Sequence, residues 1–248
     1  MAKDEMIFGV HPVIEAIESG KEISKIYIQR DVKLENLTRL RKLIKQHKLP
    51  VANVPVQKLN QMTGGNHQGV LAFISPITTS KIEDILPGVY EQGKTPLILI
   101  LDRISDVRNI GAITRTAEAA GVDAIVIPTK ESAALNDFAM KSSAGALNRV
   151  NICKSHNLWD TCVFLKESGL LLVAATEKGN DRLYDIDFSQ PVAIIMGSED
   201  RGISRNLLEI SDYQTAIPML GKIGSLNVSV ATGVMLYEAV RQRIGNKG

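Results

Sequence analysis

The sequence predicts a two-domain α/β protein, in which a small α/β module precedes a larger domain built on a mostly parallel sheet. Two observations predict this architecture: 248 residues suffice for two small domains, and apolar runs alternate with helical segments after residue 95. The composition, 44% hydrophobic and 23% charged, is that of an ordinary globular protein. We expect a first domain at 1–78, a linker at 79–94 and a second domain at 95–248.

The first domain is predicted from a compact alternation of short elements. Its helices are expected at Pro12–Ser19, Leu34–Lys48 and Gln57–Met62, and its strands at Ile23–Ile28, Val51–Val54 and Gly69–Ile74. The linker carries Pro87, Gly88 and Gly93 around a weak helix at Ile82–Leu86. Such a composition is typical of a connection between domains.

Basic charge is concentrated in the first domain. Residues 1–80 hold eleven Lys and Arg against seven Asp and Glu, a net of +4, whereas residues 81–248 hold eighteen against twenty, a net of −2. Five of the cations lie on the predicted helix 34–48, namely Arg39, Arg41, Lys42, Lys45 and Lys48. A solvated helix face explains this pattern, and so does a surface for the phosphate backbone of a nucleic acid.

The second domain is predicted from four continuous apolar runs, which are typical of strands buried on both faces of a parallel sheet. The strands are expected at Leu97–Leu101, Ala124–Ile127, Leu171–Ala175 and Val192–Met196, and the helices at Gly111–Ala120, Asp137–Ala144, Leu158–Ser168, Arg205–Ile210 and Val228–Arg243. Ligands bind beyond the carboxyl ends of the strands in such a sheet. Three segments that carry polar residues therefore stand out.

The first segment, residues 102–117, leaves a predicted strand and enters a helix. Asn109 is placed to cap that helix or to present an amide at its entrance. Arg115 lies six residues further on, about 240° round the helix from Asn109. A surface ion pair is the structural explanation for Arg115, as capping is for Asn109.

The second and third segments are residues 194–203 and 217–231. In the second, a buried strand ends in a loop bounded by Gly197 and Gly202, and Glu199 offers a carboxylate there to a ligand or an arginine. A plain turn would explain the glycines but not the charge density. The third begins with apolar residues that fit a slot for a flat adenine ring. It ends with Ser225 and Asn227 at a helix entrance, where a Ser-x-Asn cap is the alternative explanation.

Several function classes are disfavoured. The sequence has no Gly-x-Gly-x-x-Gly, Walker, Gly-x-Ser-x-Gly or His-Glu-x-x-His pattern, which weakens dehydrogenase, nucleoside-triphosphatase, hydrolase and zinc-peptidase functions. Two cysteines and four scattered histidines match no zinc pattern, so we expect no metal. No apolar run approaches the ~20 residues of a membrane span, and no secretion signal is evident, so we expect a cytoplasmic protein.

The three segments, in this order, resemble the three motifs of the SpoU/TrmH branch of the SPOUT methyltransferases. The matching residues are Asn109–Ala112 with Arg115–Ala117, Met196–Glu199 with Gly202, and Ile217–Met219 with Ser225–Ser229. Phe8–Val13 and His67–Val70 resemble the substrate-binding domain that precedes the catalytic domain in ribosomal members. The resemblance covers nearly the whole chain.

This resemblance implies an L30e-like RNA-binding domain followed by a SPOUT domain with a deep trefoil knot that holds S-adenosylmethionine. The implied cofactor-binding residues are Thr176, Met196, Gly197, Ile217, Met219 and Leu226. His67 and Gln68 join Arg41, Lys42 and Lys45 as candidate RNA-binding residues. The resemblance also implies a homodimer with shared sites, and no DNA or membrane partner is expected. The candidate interface is an apolar stripe on the C-terminal helix, which core packing explains equally well: Val230, Val234, Tyr237 and Val240.

The implied activity is transfer of a methyl group to a ribose 2'-hydroxyl in RNA, with a guanosine of large-subunit ribosomal RNA favoured. Arg115 is the family's candidate base, but a guanidinium titrates only above ~12. We therefore expect Arg115 to grip a phosphate and orient the hydroxyl, inside a hydrogen-bond shell formed by Asn109, Glu199, Ser225 and Asn227. A transfer-RNA substrate is one alternative, and a non-catalytic RNA-binding or ribosome-assembly protein is another.

Overall fold

The chain forms two compact units. The computed structural model describes residues 5–30, 37–47, 49–75, 77–133 and 135–245, except for the side chain of Asp137. The first unit comprises residues 1–78 with 135–137, and the second comprises residues 79–134 with 138–248. Both are α/β, as the sequence predicts.

The first unit is a four-stranded sheet in the order β1-β4-β2-β3, with β4 antiparallel to β1 and β2, and β2 parallel to β3. Its elements are β1 (Glu5–Phe8), α1 (Val10–Glu18), β2 (Ile23–Gln29), α2 (Thr38–Gln46), β3 (Val51–Val54), α3 (Val56–Met62) and β4 (Val70–Ile74). Because side chains alternate along a strand, Val70 and Ala72 join the cluster under α1 and α2, while Leu71 joins Leu59 of α3.

The second unit is a seven-stranded, all-parallel sheet in the order β7-β6-β5-β10-β8-β11-β9. Its strands are β5 (Leu97–Asp102), β6 (Ala124–Pro128), β7 (Asn151–Ser155), β8 (Leu171–Ala175), β9 (Asp181–Arg182), β10 (Val192–Gly197) and β11 (Tyr213–Ala216). Its helices are α4 (Ile82–Glu91), α5 (Val107–Ala119), α6 (Asp137–Ser142), α7 (Leu158–Glu167), α8 (Arg205–Ile210) and α9 (Val228–Gly245). The parallel sheet is thus confirmed, and the trefoil knot stays a prediction.

Four strands were not predicted, and none of them contains an apolar run of more than three residues. They are β1, β7, β9 and β11. β7 lies at the edge of its sheet and has polar residues at three of its five positions. β11 is mostly polar, although Thr215 is fully buried between β8 and β9. Burial in these strands depends on neighbours distant in sequence, which a local pattern cannot report.

The segment expected as a linker is instead part of the second unit. α4 contains Pro87 within its length, and its Ile82 and Leu86 are buried in the core with β5 and α7. The Pro-Gly pair, which indicated a connection, is tolerated because the packing of this apolar face outweighs the lost helix hydrogen bond.

The C-terminal helix α9 has two apolar faces. Thr232, Met235 and Ala239 are fully buried against the second unit. Val230 and Tyr237 lie on the other face, 53% and 52% exposed, together with Ile244. Core packing is therefore the wrong explanation for Val230 and Tyr237, although Val234 and Val240 are half-buried. Among the described residues, no helix is long and apolar enough to cross a membrane.

Candidate active site

The second and third predicted segments meet at a cavity of about 570 Å³ at the carboxyl ends of β8, β10 and β11. Parallel pairing brings these ends to one edge, with Met196 beside Ala175 and Ala175 beside Thr215. All six residues expected to hold the cofactor line the cavity, Thr176, Met196, Gly197, Ile217, Met219 and Leu226. Glu199 and Ser225 of the expected hydrogen-bond shell also line it.

The loop after β10 folds tightly back on itself. Gly202 donates its N–H to the carbonyl of Ser198 over 2.8 Å and has a φ of +63°. A Cβ on Gly197 would overlap the backbone of Gly202 and Ile203. Glycine is thus required at both ends of this loop, and the fold-back leaves Glu199 exposed at the cavity.

A carboxylate and two amides connect the three predicted segments. Asn227 Nδ2 donates to Glu199 Oε1 over 2.6 Å and to Asn109 Oδ1 over 3.2 Å. Asn109 Nδ2 lies 3.4 Å from the same Glu199 oxygen, and the Val228 N–H donates to it over 3.1 Å. Oε1 therefore accepts three hydrogen bonds, while Oε2 accepts none from the described residues.

The two asparagines differ in what they do for their helices. Asp106, not Asn109, caps α5 by accepting the N–H of Arg108 over 2.7 Å, so α5 begins four residues before the predicted start. The capping explanation for Asn109 is therefore wrong. Asn227 combines both predicted roles, because its Oδ1 accepts the Ser229 N–H at the start of α9 while its amide binds Glu199.

Arg115 does not join this cluster within one chain. It lies on the exposed face of α5, is not part of the cavity lining, and has no ion-pair partner among the described residues. The surface ion pair offered as its alternative role is absent from this part of the chain. Close to it, Thr116 packs against Gly233, so α5 contacts α9 beside the exposed stripe of Val230 and Tyr237.

The predicted basic surface of the first unit lies on α2. Arg41, Lys42 and Lys45 are exposed and have no partner among the described residues. Arg39 is different because its guanidinium forms a 2.6 Å ion pair with Glu18 of α1. Lys48 lies outside the described residues.

His67 and Gln68 form a tight turn before β4. Val70 donates its N–H to the His67 carbonyl over 2.8 Å, and both Gln68 and Gly69 have positive φ, as in a type I' turn. Nδ1 of His67 accepts the Gly69 N–H over 3.0 Å, which leaves the proton on Nε2, 2.8 Å from Asn60 Oδ1. These residues thus have a structural role, and Gln68 is also exposed.

Sequence reasoning missed a buried carboxylate at this edge of the sheet. Asp102, the last residue of β5, is only 4% exposed and accepts two hydrogen bonds from Ser204. The available signal was an acid directly after the apolar run 97–101. Nothing in the sequence indicated its partner, 102 residues away.

The two cysteine thiols of the second unit are buried and neutral. Cys153 and Cys162 are free and buried, and burial raises the pKa of each thiol to about 12, assisted at Cys162 by the charge of Asp102. Both thiols are therefore protonated and unsuited to nucleophilic chemistry. The described residues contain no group of three or more His, Cys, Asp or Glu that could hold a metal ion.

Comparison with known families decides the class of this site. The SpoU rRNA Methylase family model matches residues 96–237. The chain belongs to the SpoU methylase family. A second model, RNA 2'-O ribose methyltransferase substrate binding, matches residues 6–80. The resemblance carried by the three motifs and by the first domain is thereby confirmed.

Relatives of this SpoU methylase span its whole length. It is 37% identical over 244 residues to a TrmH family tRNA/rRNA methyltransferase of Staphylococcus saprophyticus, with 98% of each chain covered. The SpoU methyltransferase AviRb of Streptomyces viridochromogenes, solved with AdoMet, aligns with a TM-score of 0.61 at 26% identity over 97% of this chain and 90% of that one. The A. aeolicus TrmH/SpoU tRNA modifying enzyme aligns with a TM-score of 0.57 at 32% identity, over 66% and 85%.

Family membership confirms the SPOUT-type fold, the methyltransferase class and S-adenosylmethionine as the cofactor of the family. It disfavours a non-catalytic RNA-binding protein. The choice between ribosomal and transfer RNA is a finer question, because the relatives carry names of both kinds.

Proposed function

We propose that this SpoU methylase transfers a methyl group from S-adenosylmethionine to a ribose 2'-hydroxyl in RNA. The observation that carries the proposal is the hydrogen-bonded cluster of Asn109, Glu199 and Asn227 beside a ligand-sized cavity. Because the relatives are RNA-modifying proteins of bacteria, we place the activity in the cytoplasm.

The cavity fits the chemistry of the cofactor. Met196, Ile217 and Leu226 offer apolar surface to an adenine ring, and the backbone at Gly197 is open to polar contacts. Glu199 adds a negative charge at the same cavity, which favours a cation. S-adenosylmethionine supplies an electrophilic methyl group on a positively charged sulfur. The expected cofactor residues are therefore proposed as its binding site.

The polar residues are proposed to bind and orient the ribose. The amides of Asn109 and Asn227 and the Val228 N–H fix one oxygen of Glu199, so that Oε2 is left to accept a hydrogen bond from substrate. Ser225 offers a second polar group at the cavity. Transfer would form the ribose O–CH3 bond as the cofactor's S–CH3 bond breaks, and the hydroxyl would lose its proton in the same step, assisted by Oε2 of Glu199 as positioned acceptor. Arg115 grips the neighbouring phosphate, because the forked donors of a guanidinium match phosphate oxygens.

A homodimer would bring Arg115 to the cavity of a second copy. Within one chain Arg115 lies outside the cavity lining, beside the exposed face of α9 that carries Val230, Tyr237 and Ile244. Large apolar side chains exposed on one helix face favour a subunit contact. We infer that this face pairs with that of another copy, and that each site combines Glu199 of one chain with Arg115 of the other.

Mixed dimers test the activity and the shared site together. Arg115→Ala and Glu199→Gln are each expected to lower single-turnover methylation by about 100-fold. When the two inactive variants are unfolded and refolded together, the mixed dimer contains one site with both native residues, and activity returns. Recovery is not expected when either variant is refolded alone. Activity that stays absent in the mixture, with dimers present, contradicts the shared site.

The role of Arg115 itself is tested by substitution with lysine. An orienting role predicts partial activity for Arg115→Lys, because a lysine still attracts phosphate, and no new pH dependence. A lysine that introduces an ionisation governing the rate would instead indicate a base at this position. Cofactor and RNA binding are measured separately by calorimetry.

The first unit, with the boundary expected near residue 78, is proposed to bind RNA. The exposed cations Arg41, Lys42 and Lys45 lie on one short helix without carboxylate partners among the described residues. Phosphate contacts of this kind make affinity fall with salt. Neutralising all three is expected to weaken RNA binding and flatten its salt dependence while cofactor affinity stays unchanged. Neutralising Arg39, which is paired with Glu18, is the matched control. Unaltered RNA affinity in the triple variant contradicts the proposal.

His67 and Gln68 are proposed as further RNA contacts in the first unit. Gln68 is exposed at the tip of its turn, and its Oε1 accepts the Val10 N–H over a long 3.4 Å, whereas His67 is engaged with Asn60 and Gly69. We therefore expect Gln68→Ala to weaken RNA binding with a smaller loss of stability than His67→Ala. His67→Ala is expected to affect both, because it also removes the turn contacts.

We favour a guanosine of large-subunit ribosomal RNA as the substrate. Support comes from the first domain, which precedes the catalytic domain as in ribosomal members, and from the family's description as rRNA methylases. A transfer RNA is the second candidate, since relatives carry that name as well. Mapping ribose methylation in both RNA classes, from cells with and without the gene, decides between them. Loss of a methyl group in transfer RNA alone overturns our preference.

A further inference from the structure

A buried carboxylate joins β5 to the loop that follows β10. Asp102 is 4% exposed, and its Oδ2 accepts both the backbone N–H and the hydroxyl of Ser204, each over 2.6 Å. Asp102 pairs in register with Gly197, the residue from which the loop departs. The Asp102 carboxylate thus binds Ser204 at the end of the loop. The strand that ends with Asp102, β5, pairs with Gly197 at the start of the loop.

Arg103 binds the same loop two residues earlier, at Gly202. Its φ of +59° is unusual for a residue with a side chain. Nη2 donates to the Gly202 carbonyl over 3.2 Å and lies 3.3 Å from Asp102 Oδ2, and Nε forms a 3.3 Å ion pair with Oδ1. The strained backbone therefore places one guanidinium between the carboxylate and the loop.

The side chain of Ser204 does not cap the helix that follows it. It occupies the N-cap position of α8, where a serine oxygen usually accepts a backbone N–H, but its side chain makes no capping bond. The hydroxyl instead donates to Asp102. The hydroxyl thus makes the contact with Asp102, 102 positions away, in place of the usual capping bond. This choice indicates that the long-range contact is the more important one here.

The position of Glu199 depends on this loop. The loop is closed between Ser198 and Gly202 by a 2.8 Å hydrogen bond, and Gly197 packs directly against Gly202. Glu199 lies between these points, and residues 197–203 line the cavity. A shift of Ser204 would therefore move both the cavity wall and the carboxylate.

We propose that Asp102 is a positioning residue that, with Ser204 and Arg103, holds the 198–204 loop in its ligand-binding conformation before the cofactor arrives. Asp102 and Arg103 are absent from the cavity lining and act through the loop. A preformed loop avoids the entropy cost of ordering it on binding. The inference rests on the proposed assignment of the cavity to S-adenosylmethionine.

The first test measures binding of S-adenosylmethionine by calorimetry. Ser204→Ala removes the hydroxyl but keeps the backbone N–H, and is expected to weaken binding about tenfold, because a hydrogen bond to a charged group is lost from the loop. Ser204→Thr restores the hydroxyl and is expected to recover most of the affinity. RNA affinity should stay unchanged in both variants.

A second measurement needs no ligand. Arg201 is exposed within the loop, so trypsin can cleave after it when the loop opens. In the ligand-free protein, Ser204→Ala and Asp102→Asn are expected to be cut there on the order of tenfold faster, since cleavage follows the open population. S-adenosylmethionine should slow this cleavage in the wild type.

Asp212→Asn is the matched control. Asp212 also accepts a strand N–H, from Leu172 over 2.8 Å, and pairs with Lys166, but it does so at the amino end of β8. This variant should lose stability without a change in cofactor affinity or in cleavage after Arg201. Wild-type affinity and cleavage in both Ser204→Ala and Asp102→Asn overturn the positioning role. A wild-type protein that binds no S-adenosylmethionine overturns the cavity assignment, even if the loop opens as expected.

Discussion

The two ends of the seven-stranded sheet use polar side chains in opposite ways. At the amino ends, Arg243 donates to the carbonyls of Thr95, Pro96, Phe188 and Gln190. At the carboxyl ends, Glu199 takes three hydrogen bonds on Oε1 and leaves Oε2 without one from the described residues. Bonds at the amino ends close the fold, whereas those at the carboxyl ends aim a side chain at a cavity. A hydrogen-bond acceptor without a partner among the described residues thus distinguishes the carboxyl ends of the sheet, where we propose the site, from the amino ends.

The largest expected effect is on stability, at the amino ends. Arg243→Met leaves four carbonyls without this donor, and we expect the free energy of unfolding to fall by about 3 kcal/mol. Denaturant unfolding measures it. Arg205→Met is the control, because Arg205 forms only an exposed pair with Glu209, and its loss should cost less than ~0.5 kcal/mol. Equal losses of stability in the two variants would show that the hydrogen bonds of Arg243 do not close the fold.

The second effect is on catalysis, at the carboxyl ends. In Glu199→Gln, the new amide nitrogen replaces either the acceptor Oε2 or the hydrogen-bonded Oε1. In both cases methylation is expected to fall about 100-fold in single-turnover assays. Stability should change little, since Glu199 is exposed. Asp200→Asn removes the same charge one residue away, and no more than a few-fold loss is expected there. A similar loss in both variants would point to charge alone instead of to the hydrogen-bonded geometry.

The third effect is a pH dependence of stability near the amino ends of the sheet. Hydrogen bonds from Arg241 hold the pKa of Glu238 below its ordinary value, with burial opposing, and Gln242 links this carboxylate to Ile186 near the amino ends. Because the folded pKa is lowered, the stabilisation is present above the unfolded pKa of ~4.3 and is lost as pH falls through the folded value. Glu238→Gln should therefore melt ~2–4 °C lower than the wild type at pH 7, and this difference should shrink as the pH falls below ~4.3. A difference that persists in acid would indicate packing instead of charge.

Prediction from the sequence succeeded where one short stretch contains the whole signal. The run of buried residues in β5 and the glycine-bounded loop after β10 are both local, and both are where the residues indicated. The position of Asn227 at a helix entrance was equally readable, because capping depends on neighbours two residues away.

Prediction failed where the signal was distributed along the chain. The bond from Asp102 to Ser204 spans 102 positions. The helix predicted at Ile82–Leu86 continues to Glu91 as α4, past a Pro-Gly pair that tertiary packing overrides. Arg115 belongs to one of the three motifs but does not line the cavity within one chain, and the second copy that we propose for it is not something that one sequence can place. The residues of the site were therefore more readable than the contacts that hold them.

The smallest expected effect is a pH dependence of stability that arises from the buried thiols, one of which, Cys162, feels the charge of Asp102. The pKa of Cys162 is raised to about 12, first by burial and then by the charge of Asp102, whereas Glu83 and Asp84 act on Cys153. Since the folded pKa of each thiol is raised, the stabilisation is complete below the ordinary value of 9 and is lost as pH rises from there towards 12. Unfolding measured between pH 8 and pH 10 should therefore lose stability more steeply in the wild type than in Cys162→Ala. Replacing Asp102 with Asn should instead lower the pKa of the Cys162 thiol, followed by thiolate absorbance in a Cys153→Ala background, and leave the pKa of Cys153 unchanged in a Cys162→Ala background. A change at both thiols would mean that Asp102 acts by holding the core together, and not by its charge at the edge of the sheet.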